Sequence, residues 1–173
     1  MVIVVPDKVL VALVGAAGSG KSTFAENYFL STEIVSSDGC RAMVCDNPDN
    51  QEVSKDAFEL LYHIIHKRLK NRRTTVIDAT NVARRIRRHI LGIAGRYGVE
   101  NVIAVVFDVP RNVCVERNRK RTRRVETDVI SRQIRRLHAT LDGITGEGFS
   151  QVYILYSTEN VVIRHMEESE ETR

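Results

Sequence analysis

There is no tryptophan in these 173 residues, and the aromatic complement is five tyrosines and five phenylalanines. So few flat side chains argue against a stacking platform along which a long single strand could lie base by base. Cysteine is also scarce, at three (Cys40, Cys45 and Cys114). An odd count without CxxC spacing argues against a disulfide framework or a structural zinc and for a reducing cytoplasm. No run approaches the ~20 consecutive apolar residues of a membrane span. The stretch Val9–Ala17 has the look of a secretory h-region, but a glycine-rich loop begins inside it and cleavage would destroy that loop. Internal repeats, internal linkers and a D-x-D phosphatase signature are all missing.

What is present has ordinary globular proportions, 43% hydrophobic and 28% charged, in a length that suits one domain over residues 1–173. The net charge of +4 is unevenly spread. Residues 111–136 carry ten Arg/Lys (Arg111, Arg117, Arg119, Lys120, Arg121, Arg123, Arg124, Arg132, Arg135, Arg136) against Glu116, Glu126 and Asp128. Arg84-Arg85-Ile86-Arg87-Arg88 is a second basic run. Each reads either as a solvated helix face or as a surface for a polyanion. The tail 167–173, Glu-Glu-Ser-Glu-Glu-Thr-Arg, is charged enough to be a frayed end or the start of a linker.

Apolar runs of strand length alternate with segments of helical period. Val9–Val14, Glu33–Ser36, Thr74–Ile77, Asn101–Phe107 and Gln151–Tyr156 read as strands. Lys21–Leu30, Ser54–Leu69, Ala83–Tyr97 and Thr127–Leu141 read as helices, and Pro110 suits the first turn of another. Near-continuous apolar strands separated by helices predict an α/β fold, a parallel five-stranded sheet covered on both faces.

Between the first strand and the first helix lies Gly15-Ala16-Ala17-Gly18-Ser19-Gly20-Lys21-Ser22, which satisfies G-x-x-x-x-G-K-[ST]. Glycines let backbone N–H groups close around phosphate oxygens, and the following helix points its positive end at them. In such a loop Lys21 bridges β- and γ-phosphates and the Ser22 hydroxyl reaches Mg²⁺. The motif with its flanking elements is a P-loop, and it predicts ATP as ligand.

In open α/β sheets ligands bind at the carboxyl ends of the strands, where Asp38, Asp78 and Asp108 fall. Asp78 or Asp108 could steady Mg²⁺ through water, although for Asp108, just before Pro110 at a helix start, a capping role is the better reading. Arg41 follows Asp38 by three residues, so a helix beginning there would aim a carboxylate and a guanidinium at one ligand. That carboxylate could take the proton of an attacking hydroxyl. Arg117, Arg121 and Arg124, at i, i+4 and i+7, would share one helical face and form a lid over about 117–127, covering the moving phosphate. Glu59, His63 and His66 share a stripe that reads as solvent-exposed, away from Leu61, Ile64 and Ile65.

Four segments together carry a resemblance: Gly15–Thr23, Ser36-Ser37-Asp38-x-x-Arg41, Val76-Ile77-Asp78-Ala79-Thr80-Asn81 and Glu116-Arg117-Asn118…Arg121-Thr122-x-Arg124. With Glu147-Gly148-Phe149…Val152-Tyr153-Ile154-Leu155, the chain resembles the kinase module of bacterial polynucleotide kinase-phosphatase over nearly its whole length. The resemblance implies a P-loop NTPase-type fold with an arginine-rich lid, and transfer of the γ-phosphate of ATP to the 5′-hydroxyl end of RNA or DNA. It implies that Gly15–Thr23 with Arg117 bind ATP, that Ser22 and Asp78 serve Mg²⁺, and that Asp38 is the general base. Arg41 would hold the acceptor's own phosphate, and Arg121 and Arg124 the donor phosphates. After Arg124 the segment is about a residue shorter than the family's, which leaves open whether Arg123 or Arg124 touches phosphate. The implied setting is nucleic-acid end repair in the cytoplasm, alongside phosphatase and nucleotidyltransferase domains in a longer parent. A kinase of a small hydroxylated metabolite would need the same loop and base without a basic groove. A nucleotide-binding switch would have no use for Asp38 beside Arg41.

Overall fold

In the computed structural model the described residues are 1–121, 124–159 and 161–166. Arg123 and the charged tail 167–173 lie outside them.

The five apolar runs form one parallel sheet: β2 (Leu10–Gly15), β3 (Ile34–Ser36), β4 (Thr75–Asp78), β5 (Val102–Phe107) and β6 (Gln151–Leu155), in the order β3-β4-β2-β5-β6. Because β2 is central, the chain leaves it toward one edge and later returns to its other side, making the carboxyl end of β2 the switch point. β2 is buried along its whole length, and its residues alternate between two cores. Leu10, Ala12 and Val14 enter one core, while Val11 and Leu13 enter the other, as the two-residue period of a strand requires.

Helices cover both faces. α3 (Ser54–Lys70) and α4 (Arg84–Arg96) bury Ala57, Leu61, Ile65, Ile90 and Ile93 in the first core. α1 (Lys21–Tyr28) and α5 (Arg111–Arg119) bury Phe24, Ala25, Cys114 and Val115 in the second. α2 (Ser37–Cys45) follows β3 without a break. α6 (Thr127–Leu141), whose ends match the sequence expectation, belongs to both cores: Ile130 enters the second and Leu137 the first.

One strand pair was absent from the sequence reading. β1 (Val2–Pro6) and β7 (Val162–Met166) form a separate two-stranded parallel sheet. Ile3 and Val5 of β1 enter the second core, and the Val4 N–H donates to the Tyr153 hydroxyl at 3.2 Å. α1 also ends two residues earlier than Leu30, because Phe29 turns extended and packs beside Phe24.

The basic run 84–88 divides. Arg84, Arg85 and Arg88 are exposed, but the Arg87 side chain is fully buried and does not belong to a solvated face. Its Nε and Nη2 donate to the two carboxylate oxygens of Glu147 at 2.7 and 2.6 Å. Its Nη1 donates to the Asn81 and Val82 carbonyls at 3.1 and 2.9 Å, and Nη2 also reaches the Thr140 hydroxyl at 3.0 Å. One guanidinium thereby ties the turn after β4 to α6 and to the loop before β6. Removing one partner of such a pair strands a buried charge, so Glu147→Ala should lower unfolding free energy by about 3–5 kcal/mol. Replacing both, as Arg87→Met with Glu147→Leu, should recover most of the loss. Urea denaturation measures both, and a loss under ~1 kcal/mol in Glu147→Ala would contradict the clamp.

Candidate active site

The loop after β2 closes as its spacing requires. Gly18 and Gly20 take φ values of 79° and 101°, in the left-handed region that glycine tolerates. Space forbids side chains as well, since a Cβ on Gly18 would sit 2.2 Å from the Cys114 carbonyl oxygen. Gly15 donates its N–H to the Thr80 carbonyl at 2.9 Å, and Asn81, itself at φ 48°, donates from Nδ2 to the Leu13 carbonyl at 2.8 Å. The turn after β4 is thus stitched to the loop after β2. Lys21 and Ser22 begin α1, and Thr23 behind them is exposed.

Lys21 is buried and folds back over the loop, donating from Nζ to the Ala16 carbonyl at 2.7 Å. Burial pulls its pKa down to about 8, with the nearby Asp78 carboxylate opposing the shift. Burial pushes Asp78 the other way, above the usual carboxylate range, against the Lys21 charge and a hydrogen bond from Ser22. The register explains the meeting, because Asp78 pairs with Leu13 on one side and Ser36 on the other.

Ser36 caps α2, its hydroxyl accepting from the Asp38 and Gly39 N–H groups. That cap starts the helix where the Asp38/Arg41 spacing needs it. Arg41 is buried, donates from Nε to the Pro48 carbonyl at 2.8 Å, and pairs through Nη2 with the half-exposed Asp38 carboxylate. Lys21, Ser22, Asp38, Arg41, Asp78 and Arg124 all line one open cavity of about 550 Å³.

The arginine segment departs from expectation. α5 stops at Arg119, so Arg117, Arg121 and Arg124 do not share a helical face. Arg117 lies behind the loop, its guanidinium donating to the Ser19 carbonyl at 3.4 Å and the Thr158 hydroxyl at 3.3 Å. Arg121 is exposed past the helix end, near enough to push down the Lys21 pKa. Arg124 alone of the three lines the cavity. Asp108 does not cap α5, as its carboxylate meets His138 Nε2 at 2.7 Å. His66 contacts the Tyr97 hydroxyl at 3.1 Å, and no group of three metal-ligating side chains occurs among the described residues. No described helix is long and apolar enough to cross a membrane.

Sequence reasoning missed Gln133 and Gln51, which also line the cavity. Gln133 Oε1 accepts the Ala17 N–H at 2.8 Å. The sequence carried no plain signal, since Ile134 keeps the apolar period of α6 between Ile130 and Leu137 and Gln133 sits beside it.

The Lys21 shift has a measurable consequence. A neutral lysine attracts a triphosphate less than an ammonium does, so the nucleotide favours the protonated form and raises its pKa. Affinity should therefore be flat below pH 8 and fall above it, by up to about tenfold per pH unit, with proton uptake on binding near pH 8.5. Calorimetry in two buffers of different ionisation heat measures that uptake. Binding without any would place the Lys21 pKa elsewhere.

No curated protein matches the sequence. A chain in the structure of the Pnkp1/Rnl/Hen1 RNA repair complex is 28% identical with a TM-score of 0.66, the match covering 77% of this chain and 45% of that one. The protein thus spans less than half the length of that chain. A gluconokinase from Sinorhizobium meliloti 1021 is 16% identical with a TM-score of 0.56, covering 90% of this chain and 86% of its own. Shikimate kinase from Acinetobacter baumannii is 20% identical with a TM-score of 0.50, covering 83% of this chain and 82% of its own. The two metabolite kinases share the fold. An AAA domain family model matches residues 10–144, most of the chain. The parallel sheet, the phosphate loop and this match agree that the chain belongs to the AAA domain family, with the fold of a P-loop NTPase-like kinase, which implies ATP binding.

Proposed function

We propose that this protein transfers the γ-phosphoryl group of ATP to the 5′-hydroxyl end of a polynucleotide. The observation that carries the reading is that Asp38 and Arg41, one turn apart on α2, line the same cavity as Lys21 of the phosphate loop. A kinase needs a proton acceptor beside the attacking hydroxyl and cations around the transferred group. In the step, the acceptor oxygen forms a bond to the γ-phosphorus and the bond from phosphorus to the β–γ bridging oxygen breaks. The hydroxyl proton passes to the Asp38 carboxylate, and ADP leaves.

Lys21 neutralises the donor phosphates, and Arg124, with Arg121 from the chain just before it, covers the moving group. Arg117 braces the loop at Ser19. Ser22 and Asp78 fit Mg²⁺, because a hydroxyl hydrogen-bonded to a buried carboxylate is a set of hard oxygen donors. When bound there, the ion neutralises charge on the β- and γ-phosphate oxygens. Arg41 is buried and geometrically restrained, which suits recognition of an acceptor phosphate more than solvation.

The likeness to a chain of an RNA repair complex supports a nucleic-acid acceptor, and partner repair domains beyond this segment belong to the same proposal. The exposed Arg132, Arg135 and Arg136 on α6 add charge for a polyanion. A second reading, a kinase of a small hydroxylated metabolite, is favoured by the cavity, whose roughly 550 Å³ falls in the range of small-molecule sites.

Labelled ATP offered to an oligonucleotide with a 5′-hydroxyl should label it, and the same oligonucleotide with a 5′-phosphate should stay unlabelled. Asp38→Asn should lower turnover by about 10²–10⁴-fold while ATP affinity stays within about twofold. No labelling of either oligonucleotide, with labelling of a small polyol, would transfer the case to the metabolite kinase. Loss of ATP binding in Asp38→Asn would mean that the carboxylate serves the donor and not the acceptor.

A further inference from the structure

α6 places Ile130 in one core and Leu137 in the other, so it passes from one face of the sheet to the other. Gln133 lies between those two anchors. It meets the phosphate loop there, where the Ala17 N–H donates to its Oε1 at 2.8 Å. A backbone N–H can only donate, so the amide oxygen must face the loop and the NH₂ group must face away from it. Gln133 lines the cavity with Lys21, Asp38 and Asp78, and among the described residues its Nε2 makes no hydrogen bond.

The side chain is therefore held at one end with two donors left over, next to the residues that handle the γ-phosphate. We propose that Gln133 is a ligand of the transferred phosphoryl group, its NH₂ donating to an oxygen of that group as charge develops in the transition state. The proposal rests on the donor-site reading above but needs no particular acceptor. Gln133 complements the arginines in kind. They neutralise charge over a distance, whereas an amide fixed by its own oxygen offers donors in one direction, and preorganised donors of this sort act chiefly on the transition state.

The test uses the full chain and no acceptor. Affinities for Mg²⁺–ADP alone, and for Mg²⁺–ADP with aluminium fluoride as a mimic of the phosphoryl group in flight, are measured by calorimetry. Two variants are compared with wild type. Gln133→Glu keeps an oxygen for Ala17 and removes the donors, and Gln133→Met removes both at similar size. Each should weaken the aluminium fluoride complex by about a hundredfold while leaving ADP affinity within about threefold. Unchanged binding of the mimic in both variants would overturn the proposal. Equal losses for ADP and mimic would also overturn it, making Gln133 a brace of the loop. Tighter ADP binding in the variants would overturn it in a third way, making Gln133 a plug that the nucleotide displaces. Wild type that binds neither ligand would overturn the donor-site reading and this inference together.

Discussion

The site depends on how closely the phosphate loop is held from outside itself. At Gly18 the backbone approaches the Cys114 carbonyl of α5 so nearly that no side chain fits. At Gly15 an added Cβ would lie 2.9 Å from both the Phe107 side chain of β5 and the Ser19 hydroxyl. The loop is therefore a mould pressed between β5 and α5 on one side and the turn after β4 on the other. A mould of that kind fixes the course of the loop backbone before any ligand arrives, so little ordering remains to oppose binding. It also explains the buried Lys21, whose ammonium is surrounded by protein, with Asp78 as the neighbour that favours its charge.

The turn after β4 is held in its turn. Asn81 bonds back to Leu13, while its own carbonyl accepts from Arg87, which is locked to Glu147. A chain of contacts runs from the loop before β6, through a buried ion pair, to Asn81 and on to Leu13, the β2 residue that pairs with Asp78. Buried ion pairs are a poor source of net stability, and their best-attested use is to fix one arrangement among alternatives. Here the arrangement fixed is that of the turn after β4 against β2.

Much of this was legible in the sequence, for reasons visible in particular residues. The five core strands announce themselves because both faces are covered, leaving runs such as Val102–Phe107 without a polar break. The loop is legible because its chemistry depends on backbone and therefore on glycine spacing. Asp38 and Arg41 are legible because Ser36 starts α2 just ahead of them. The arginine segment misled because i, i+4, i+7 spacing presumes an unbroken helix, and α5 ends at Arg119. Arg87 misled because one buried arginine among four looks like its exposed neighbours until Glu147, sixty residues later, is brought beside it. β1 and β7 are each other's partners across almost the full chain, a pairing that no local pattern announces. Gln133 was passed over because Ile134 keeps the apolar period of α6 unbroken, and a polar residue beside that stripe reads as solvent-facing until the loop is seen to meet it.

The central claim is that the acceptor is a nucleic-acid end, and Arg41 tests it most directly. Its guanidinium would grip the phosphate on the 3′ side of the nucleotide whose 5′-hydroxyl attacks. The measurement is the ratio of kcat/KM for a nucleoside 3′-monophosphate to that for the bare nucleoside, in wild type and in Arg41→Ala. The account predicts a preference of about ten- to a hundredfold in wild type, the scale of one charged contact, falling close to unity in the mutant while ATP affinity is retained. Equal use of the two acceptors by wild type, or preference for an unphosphorylated sugar, would contradict it.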